Sequence, residues 1–386
     1  MDQMFAVRQV CEKYLSKGKE VYWAFIDLEK AYDRVDRGAM WEVLGLYGVG
    51  GRLLKAVKSF YVDSKACVRV GNEESDWFPV RVGLRQGCVM SPWLFNVYMD
   101  GVVKEVNARI LGRGLELIGA DGGAYELNQL LFADDTALVA DSEEKLCRLV
   151  TEFGRVCDRR KLRVNVNKSK VMTCERNENV GRMNVRLNGE ALEEVECFEY
   201  LGACVAANGG IEAEVRHRVT KGYQAFGAMK TVLNNRGLGM SAKRRLYEGV
   251  IVPTVLYGAE TWGLRVAEKR RLNVLEMKCL RSMSGVTRLD RIRNEEVRRR
   301  TGVVSELAER ADQRVLKWFG HMERMNEGRL VKKVMKSQVN GRRMRGRPRM
   351  GWMEGVKGAL SNRGMSVDAA KVCARDRDEW RKRVNR

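Results

Sequence analysis

Nowhere in the 386-residue chain do eighteen apolar residues run together, so it offers no segment suited to crossing a bilayer as a helix. Its opening, Met1 to Val10, has neither a basic leader nor an apolar signal core, which predicts an intracellular protein, nuclear or cytoplasmic. Histidine is nearly absent, with only His217 and His321. The ten cysteines are scattered, and no two lie three positions apart. These gaps exclude zinc fingers, zinc knuckles and histidine-based triads. They also predict reduced thiols and leave carboxylates to carry any metal chemistry. No internal repeat is visible.

A hydrophobic content of 45% marks a globular chain long enough for two or three domains. The formal net charge of +21 is unevenly placed: between Arg265 and Arg349, 25 lysines and arginines stand against 10 acidic residues. An excess of that density most simply neutralises a polyanion, and nucleic acid is the commonest one. A merely soluble basic surface is the blander reading.

The stretch Leu130 to Ala140 reads Leu-Leu-Phe-Ala-Asp-Asp-Thr-Ala-Leu-Val-Ala, two short apolar runs around adjacent carboxylates. Runs of this length predict a β-hairpin with Asp134 and Asp135 at its turn. Adjacent strand residues face opposite ways, so one carboxylate, taken to be Asp134, aims into any shared site. Two acids on an apolar hairpin are costly unless neutralised, and a hard divalent cation such as Mg²⁺ does this. An ordinary polar turn is the alternative.

Residues 5–17 have helical spacing, and Val21 to Leu28 reads as a central strand apolar on both faces, with Asp27 as its unexpected acid. Helices over about 37–47 and 51–61 precede two short strands within 66–83. Arg85 to Asn96 supplies a glycine-containing loop, then Ser91 as N-cap and Pro92 at the first position of a helix reaching about residue 106. That loop suits a phosphate and a base edge, or is simply a capped surface loop. Ser142 caps the next helix, and Leu162 to Met172 is strand-like and carries Lys168 and Lys170. The order predicts a split βαβ sheet with helices on one face, which brings Asp27 beside Asp134. Leu187 to Glu190 reads as a tight turn and Phe198 to Gly202 as a strand end. Beyond a boundary at 206–210, helices are expected near 211–234, 241–250, 267–283 and 303–318. Gly341 to Pro348 is too basic and glycine-rich to pack, and Arg342 to Arg349 also suits a nuclear address.

Three blocks occur in order: Phe25-Ile-Asp-Leu-Glu-Lys-Ala-Tyr-Asp33, Arg85-Gln-Gly-Cys-Val-Met-Ser-Pro92 and Phe132-Ala-Asp-Asp135. Together they resemble the palm motifs of reverse transcriptases, in particular those of LINE-type non-LTR retrotransposons. The resemblance implies an α+β fold, a right-hand palm followed by a mostly helical basic thumb. It divides the chain into a fingers remnant (1–20), a palm (21–205), a thumb-like region (206–319) and a basic C-terminal segment (320–386). It implies that Asp27 and Asp134 bind two Mg²⁺ with Asp135 beside them, Mn²⁺ being able to substitute. Tyr32 would exclude a ribose 2′-hydroxyl, and Arg85, Gln86 and Gly87 would contact the incoming nucleotide and template. Lys168, with Lys170 close by, would protonate the leaving pyrophosphate. A core-facing Tyr32 and a solvated Lys168 are the alternatives.

The implied activity is RNA-directed DNA polymerisation, a nucleotidyl transfer extending a DNA primer on an RNA template with deoxynucleoside triphosphates. Only 26 residues precede Asp27, so most of the family's fingers are missing, and neither an endonuclease segment nor a zinc-binding cluster is visible. The chain therefore looks like a piece of a longer element. That departure keeps open a catalytically inactive, nucleic-acid-binding relic. An unrelated metal-dependent phosphotransferase would explain neither the ordered blocks nor the basic region.

Overall fold

The computed structural model describes residues 1–110, 112, 114–175, 183–344 and 350–385. Its centre is β1 (Val21–Ile26), whose β-branched and aromatic residues offer no polar face and must be covered on both sides. Around it lie β2 (Gln129–Phe132), β3 (Asp135–Ala140), β4 (Lys170–Cys174) and β5 (Glu193–Glu194), in the order β5-β4-β1-β3-β2. All pairings are antiparallel except β4 with β5. Strand, helix, hairpin, helix, strand with this order is the split βαβ arrangement anticipated above.

Register then fixes the site. Tyr22 lies opposite Ala140 and Ile26 opposite Thr136, so one step further along β1 brings Asp27 level with Asp135. The two-residue turn of the β2–β3 hairpin therefore sits beside the end of β1.

One face of the sheet is covered by helices Arg37–Leu46, Ser91–Asn107 and Glu143–Arg159, which pack Met40, Phe95, Tyr98, Leu146 and Phe153 against Ala24 and Ile26. Ser142 caps the last of these as expected, accepting the Lys145 N–H at 3.3 Å. The opposite face is not bare. Helix α1 (Asp2–Ser16) buries Val7, Val10 and Tyr14 against Trp23 and Phe25, and the hairpin Cys197–Tyr200/Ala203–Ala206 stacks Phe198 on Phe25 at 4.3 Å. The expectation of helices on one face is thus corrected: α1 lies on the Trp23 and Phe25 side of the sheet. Cys197 and Cys204 are joined across that hairpin with Cα atoms 6.3 Å apart, a departure from the expected reduced thiols, while eight cysteines are free among the described residues.

From Glu212 the chain is helical. Helices Glu212–Asn234, Val266–Met283, Asn294–Thr301 and Leu307–Arg324 enclose a second core around Tyr247, Trp262, Leu275 and Leu280. Fully buried Glu276 organises it, accepting from the Tyr247 hydroxyl and the Leu307 N–H, each at 3.0 Å, and from the Arg298 guanidinium. A buried charge persists only when paired and hydrogen-bonded in this way.

A third core gathers Phe319, Trp352 and Trp380 with Phe5 of α1, so the two ends of the chain are packed together. Lys13 donates to the Met335 carbonyl at 2.9 Å, Lys17 to that of Gly341 at 2.8 Å, and the Met344 N–H to that of Ser16 at 3.2 Å. Gly341 to Met344 are tethered to α1 by these bonds but stay exposed, not packed; residues 345–349 lie outside the described residues. Among the described residues no helix is long and apolar enough to cross a membrane.

Gly320 marks a close crossing of helix Leu307–Arg324 with the C-terminal helix Arg377–Asn385, where an added methyl would overlap the Trp380 indole. That indole is buried and donates to the Leu316 carbonyl at 3.1 Å, so it has little room to retreat. The helix-propensity gain of alanine is about 1 kcal/mol, and overpacking costs about 1–3 kcal/mol. Gly320→Ala is expected to lower stability by up to about 2 kcal/mol, read as a fall in the urea midpoint at unchanged slope; a raised midpoint would contradict this packing.

Candidate active site

Three carboxylates converge at the end of β1. Phe132 pairs with Asp135, leaving Ala133 and Asp134 as the turn, and Ala133 adopts a left-handed φ of 55°. Such backbone costs of order 1 kcal/mol or more in a residue other than glycine, and it tends to be stored where geometry matters. The sequence reading placed both acids at the turn. In fact Asp134 occupies the turn, half-buried, and Asp135 is the exposed first residue of β3.

The two point into different surroundings. The charge of Asp134 reaches the Tyr32 hydroxyl, and that of Asp135 reaches the Tyr200 hydroxyl, which lies on the other face of the sheet. This is the alternation expected of adjacent residues at a strand start. Partial desolvation holds the Asp27 carboxyl above its usual range; Lys168 opposes that rise, and Asp134 and Glu29 add to it. Asp135 is likewise pushed up, first by desolvation and then by Asp134 and Asp27. The acids therefore repel one another across the end of β1, and a cation would relieve that repulsion.

As ligands they are hard oxygen donors, and among the described residues none of these three carboxylates is engaged in a hydrogen bond or ion pair. That donor set fits a divalent cation such as Mg²⁺. Among the described residues no three or more acidic, histidine or cysteine side chains are gathered closely enough to cage an ion. The carboxylates are neighbours, not a closed cage.

Tyr32 lies on the short helix Ala31–Arg34 that follows Asp27. It is half-buried, stacks on Phe95 at 4.3 Å with a 15° interplanar angle, and stands near Asp134. Its ring packs on the core edge while its hydroxyl lies toward Asp134.

Gly83 explains how the next loop is brought here. Its φ of 79° and its approach to the Asp33 backbone leave no space for a Cβ. Its N–H donates to the Val35 carbonyl at 2.9 Å, and the Leu84 N–H donates to that of Tyr32 at 2.8 Å. Arg37 secures the same crossing, donating to the carbonyls of Gly83 and Val80, each at 2.9 Å. Arg85, Gln86 and Gly87 then stand exposed, Gly87 with a φ of 78° and open space around it. Gln86 ties this loop to the site by donating to Asp33 Oδ1 at 3.0 Å. Ser91 is not the N-cap expected of it: Met90 holds that position, and the Ser91 hydroxyl donates inward to the Arg85 carbonyl at 2.7 Å.

Lys168 lies in a turn before β4, not within a strand, and its N–H donates to Asn165 Oδ1 at 3.2 Å. Its charge acts on Asp27. Lys170 is committed elsewhere, donating to Glu193 and to the Asn167 carbonyl, each at 2.6 Å. Sequence reasoning missed Arg37, Asp33, Asn165 and Ser169. The last two carried a signal, an Asn and a Ser flanking a Lys inside a β-like run, which is turn chemistry.

Comparison with known proteins follows the same residues. The family described as reverse transcriptase (RNA-dependent DNA polymerase) matches residues 2–205, more than half of the chain. A transposon-derived protein of Caenorhabditis elegans is 24% identical over 265 residues, 66% of this chain and 94% of that one. The RNA-directed DNA polymerase from mobile element jockey of Drosophila melanogaster is 26% identical over 288 residues, 71% of this chain and 29% of its own length. The chain therefore spans less than a third of that polymerase. Telomerase from Candida albicans, in complex with a telomeric RNA fragment, superimposes over 88% of this chain and 53% of its own with a TM-score of 0.39 and 12% identity. On the match across residues 2–205, the chain belongs to the reverse transcriptase (RNA-dependent DNA polymerase) family.

Proposed function

We propose that the chain is the palm and thumb portion of a non-LTR retrotransposon's RNA-directed DNA polymerase, extending a DNA primer on an RNA template with deoxynucleoside triphosphates. The observation that carries this reading is the β1–β3 register, which sets Asp27 level with Asp135 at the start of β3, next to Asp134 in the turn. Asp27 and Asp134 would hold Mg²⁺, with Asp135 beside them and Mn²⁺ able to substitute. When bound, such ions activate a primer 3′-hydroxyl and stabilise a pyrophosphate leaving group.

The chain's own residues do the rest. Tyr32, propped on Phe95, forms a wall beside Asp134 that would meet a sugar's 2′ position. Gln86, anchored by Asp33, aims its loop toward the incoming nucleotide and the template, with Arg85 beside it as a phosphate partner. Lys168, whose charge acts on Asp27, would give a proton to the departing pyrophosphate. The helical region after residue 206, with the excess of basic residues between Arg265 and Arg349, would track the duplex backbone as a thumb without reading its sequence.

The loose grouping of the carboxylates favours a second reading, a relic that binds nucleic acid without polymerising. Extension of oligo(dT) on poly(rA) in Mg²⁺ separates the two. Asp27→Asn and Asp134→Asn are each expected to reduce extension at least about a hundredfold while changing RNA affinity less than about twofold. Extension that survives both substitutions would overturn the site, and salt-sensitive RNA binding without any extension would establish the relic.

Tyr32→Val should relax sugar selection. Incorporation of ribonucleotides relative to deoxyribonucleotides is expected to rise at least about tenfold, the scale on which a pocket wall discriminates. Unchanged selection would assign Tyr32 to packing alone.

A further inference from the structure

The ladder beside Asp27 is interrupted, and one buried hydroxyl fills the gap. Pairing of β1 with β4 ends at Phe25 opposite Lys170, and pairing resumes only at the bridge between Leu28 and Val164. Between them residues 166–168 loop out of the sheet as a turn. Asp27 sits in this gap, its carbonyl bonded as part of the Leu28–Val164 bridge and its N–H left without a ladder partner. The Asn165 N–H donates to the Asp27 carbonyl at 2.8 Å, and the Asp27 N–H donates to the Ser169 hydroxyl at 3.1 Å. That hydroxyl in turn donates to the Asn165 carbonyl at 2.8 Å, which also accepts the Ser169 N–H at 2.9 Å. Ser169 is fully buried.

We infer that Ser169 is a positioning residue for the carboxylate of Asp27 and the ammonium of Lys168. This inference rests on the polymerase reading of the site. The hydroxyl closes a ring of hydrogen bonds that fixes the Asp27 peptide, and thereby the direction in which its side chain leaves the end of β1. The same ring closes the turn that carries Lys168, a turn also held by the Lys168 N–H to Asn165 Oδ1 bond at 3.2 Å. One side chain that touches neither substrate nor metal thus sets the relative placement of two site groups. A buried donor deprived of its acceptor relaxes, and displacement of a reacting group by about 1 Å can cost about a hundredfold in rate.

The test compares Ser169→Ala, Ser169→Thr, Asp27→Asn and the unaltered full chain. Single-nucleotide extension gives kcat and KM, and electron paramagnetic resonance gives free Mn²⁺ and so metal affinity without turnover. For Ser169→Ala, kcat is expected to fall about tenfold or more with KM for the nucleotide changed less than about twofold. Mn²⁺ half-saturation should rise several-fold, and Ser169→Thr, which keeps the hydroxyl, should recover most of both. Wild-type kcat and Mn²⁺ affinity in Ser169→Ala would overturn the inference. A parallel loss of RNA binding and helical circular dichroism would overturn it too, by assigning Ser169 to folding alone. If the unaltered chain extends nothing, the polymerase reading fails instead. The Mn²⁺ comparison still decides the positioning role, which requires Ser169→Ala to fall between the unaltered chain and Asp27→Asn.

Discussion

The structure depends on β1 being buried on both faces. A six-residue strand of Val-Tyr-Trp-Ala-Phe-Ile has no polar side to give to water, so helices must cover one face and α1 with the 197–206 hairpin the other. Burial from both sides fixes register, because a slip by one residue would exchange Trp23 and Phe25 with Ala24 and Ile26 and misfill both layers. Register in turn leaves no freedom in where the strand ends. Asp27 emerges from the sheet at the level of the β2–β3 turn, and the acids meet because the core allows nothing else.

That convergence works against the electrostatics. Asp27 and Asp135 are both held above the ordinary carboxylate range, each by desolvation and by its acidic neighbours. The fold tolerates this because the opposing forces are larger: the strand is locked by apolar burial on two sides, and the Asp27 peptide is clamped by Asn165 and Ser169. Tension of this kind is characteristic of sites built to receive a cation or to move protons. The Gly83 crossing and the Gln86–Asp33 bond are further devices that hold an exposed loop against the same end of the sheet.

Much of this could be read in the sequence where the signal is local. The hairpin at 129–140, the apolar central strand, the Ser142 cap and the long helices after 211 follow from periodicity and capping chemistry, and the resemblance of three ordered blocks pointed to the three acids. What escaped was long-range or context-dependent. Nothing within residues 2–16 says that their apolar stripe is shared between the sheet and Phe319, Trp352 and Trp380 from the far end of the chain. Ser91 looked like a cap because Ser before Pro usually is one, but its hydroxyl was claimed by the Arg85 carbonyl. Lys168 looked like a strand residue because β-formers surround it; the Asn165 and Ser169 side chains pull it into a turn.

The central claim is that the end of β1 and the β2–β3 turn together form a divalent cation site. Anomalous X-ray scattering from crystals of the full chain grown with an RNA–DNA duplex and soaked in Mn²⁺ tests it most directly. The account predicts an anomalous peak between the carboxylates of Asp27 and Asp134. Peaks only elsewhere, or none at a Mn²⁺ concentration that saturates binding in solution, would contradict it.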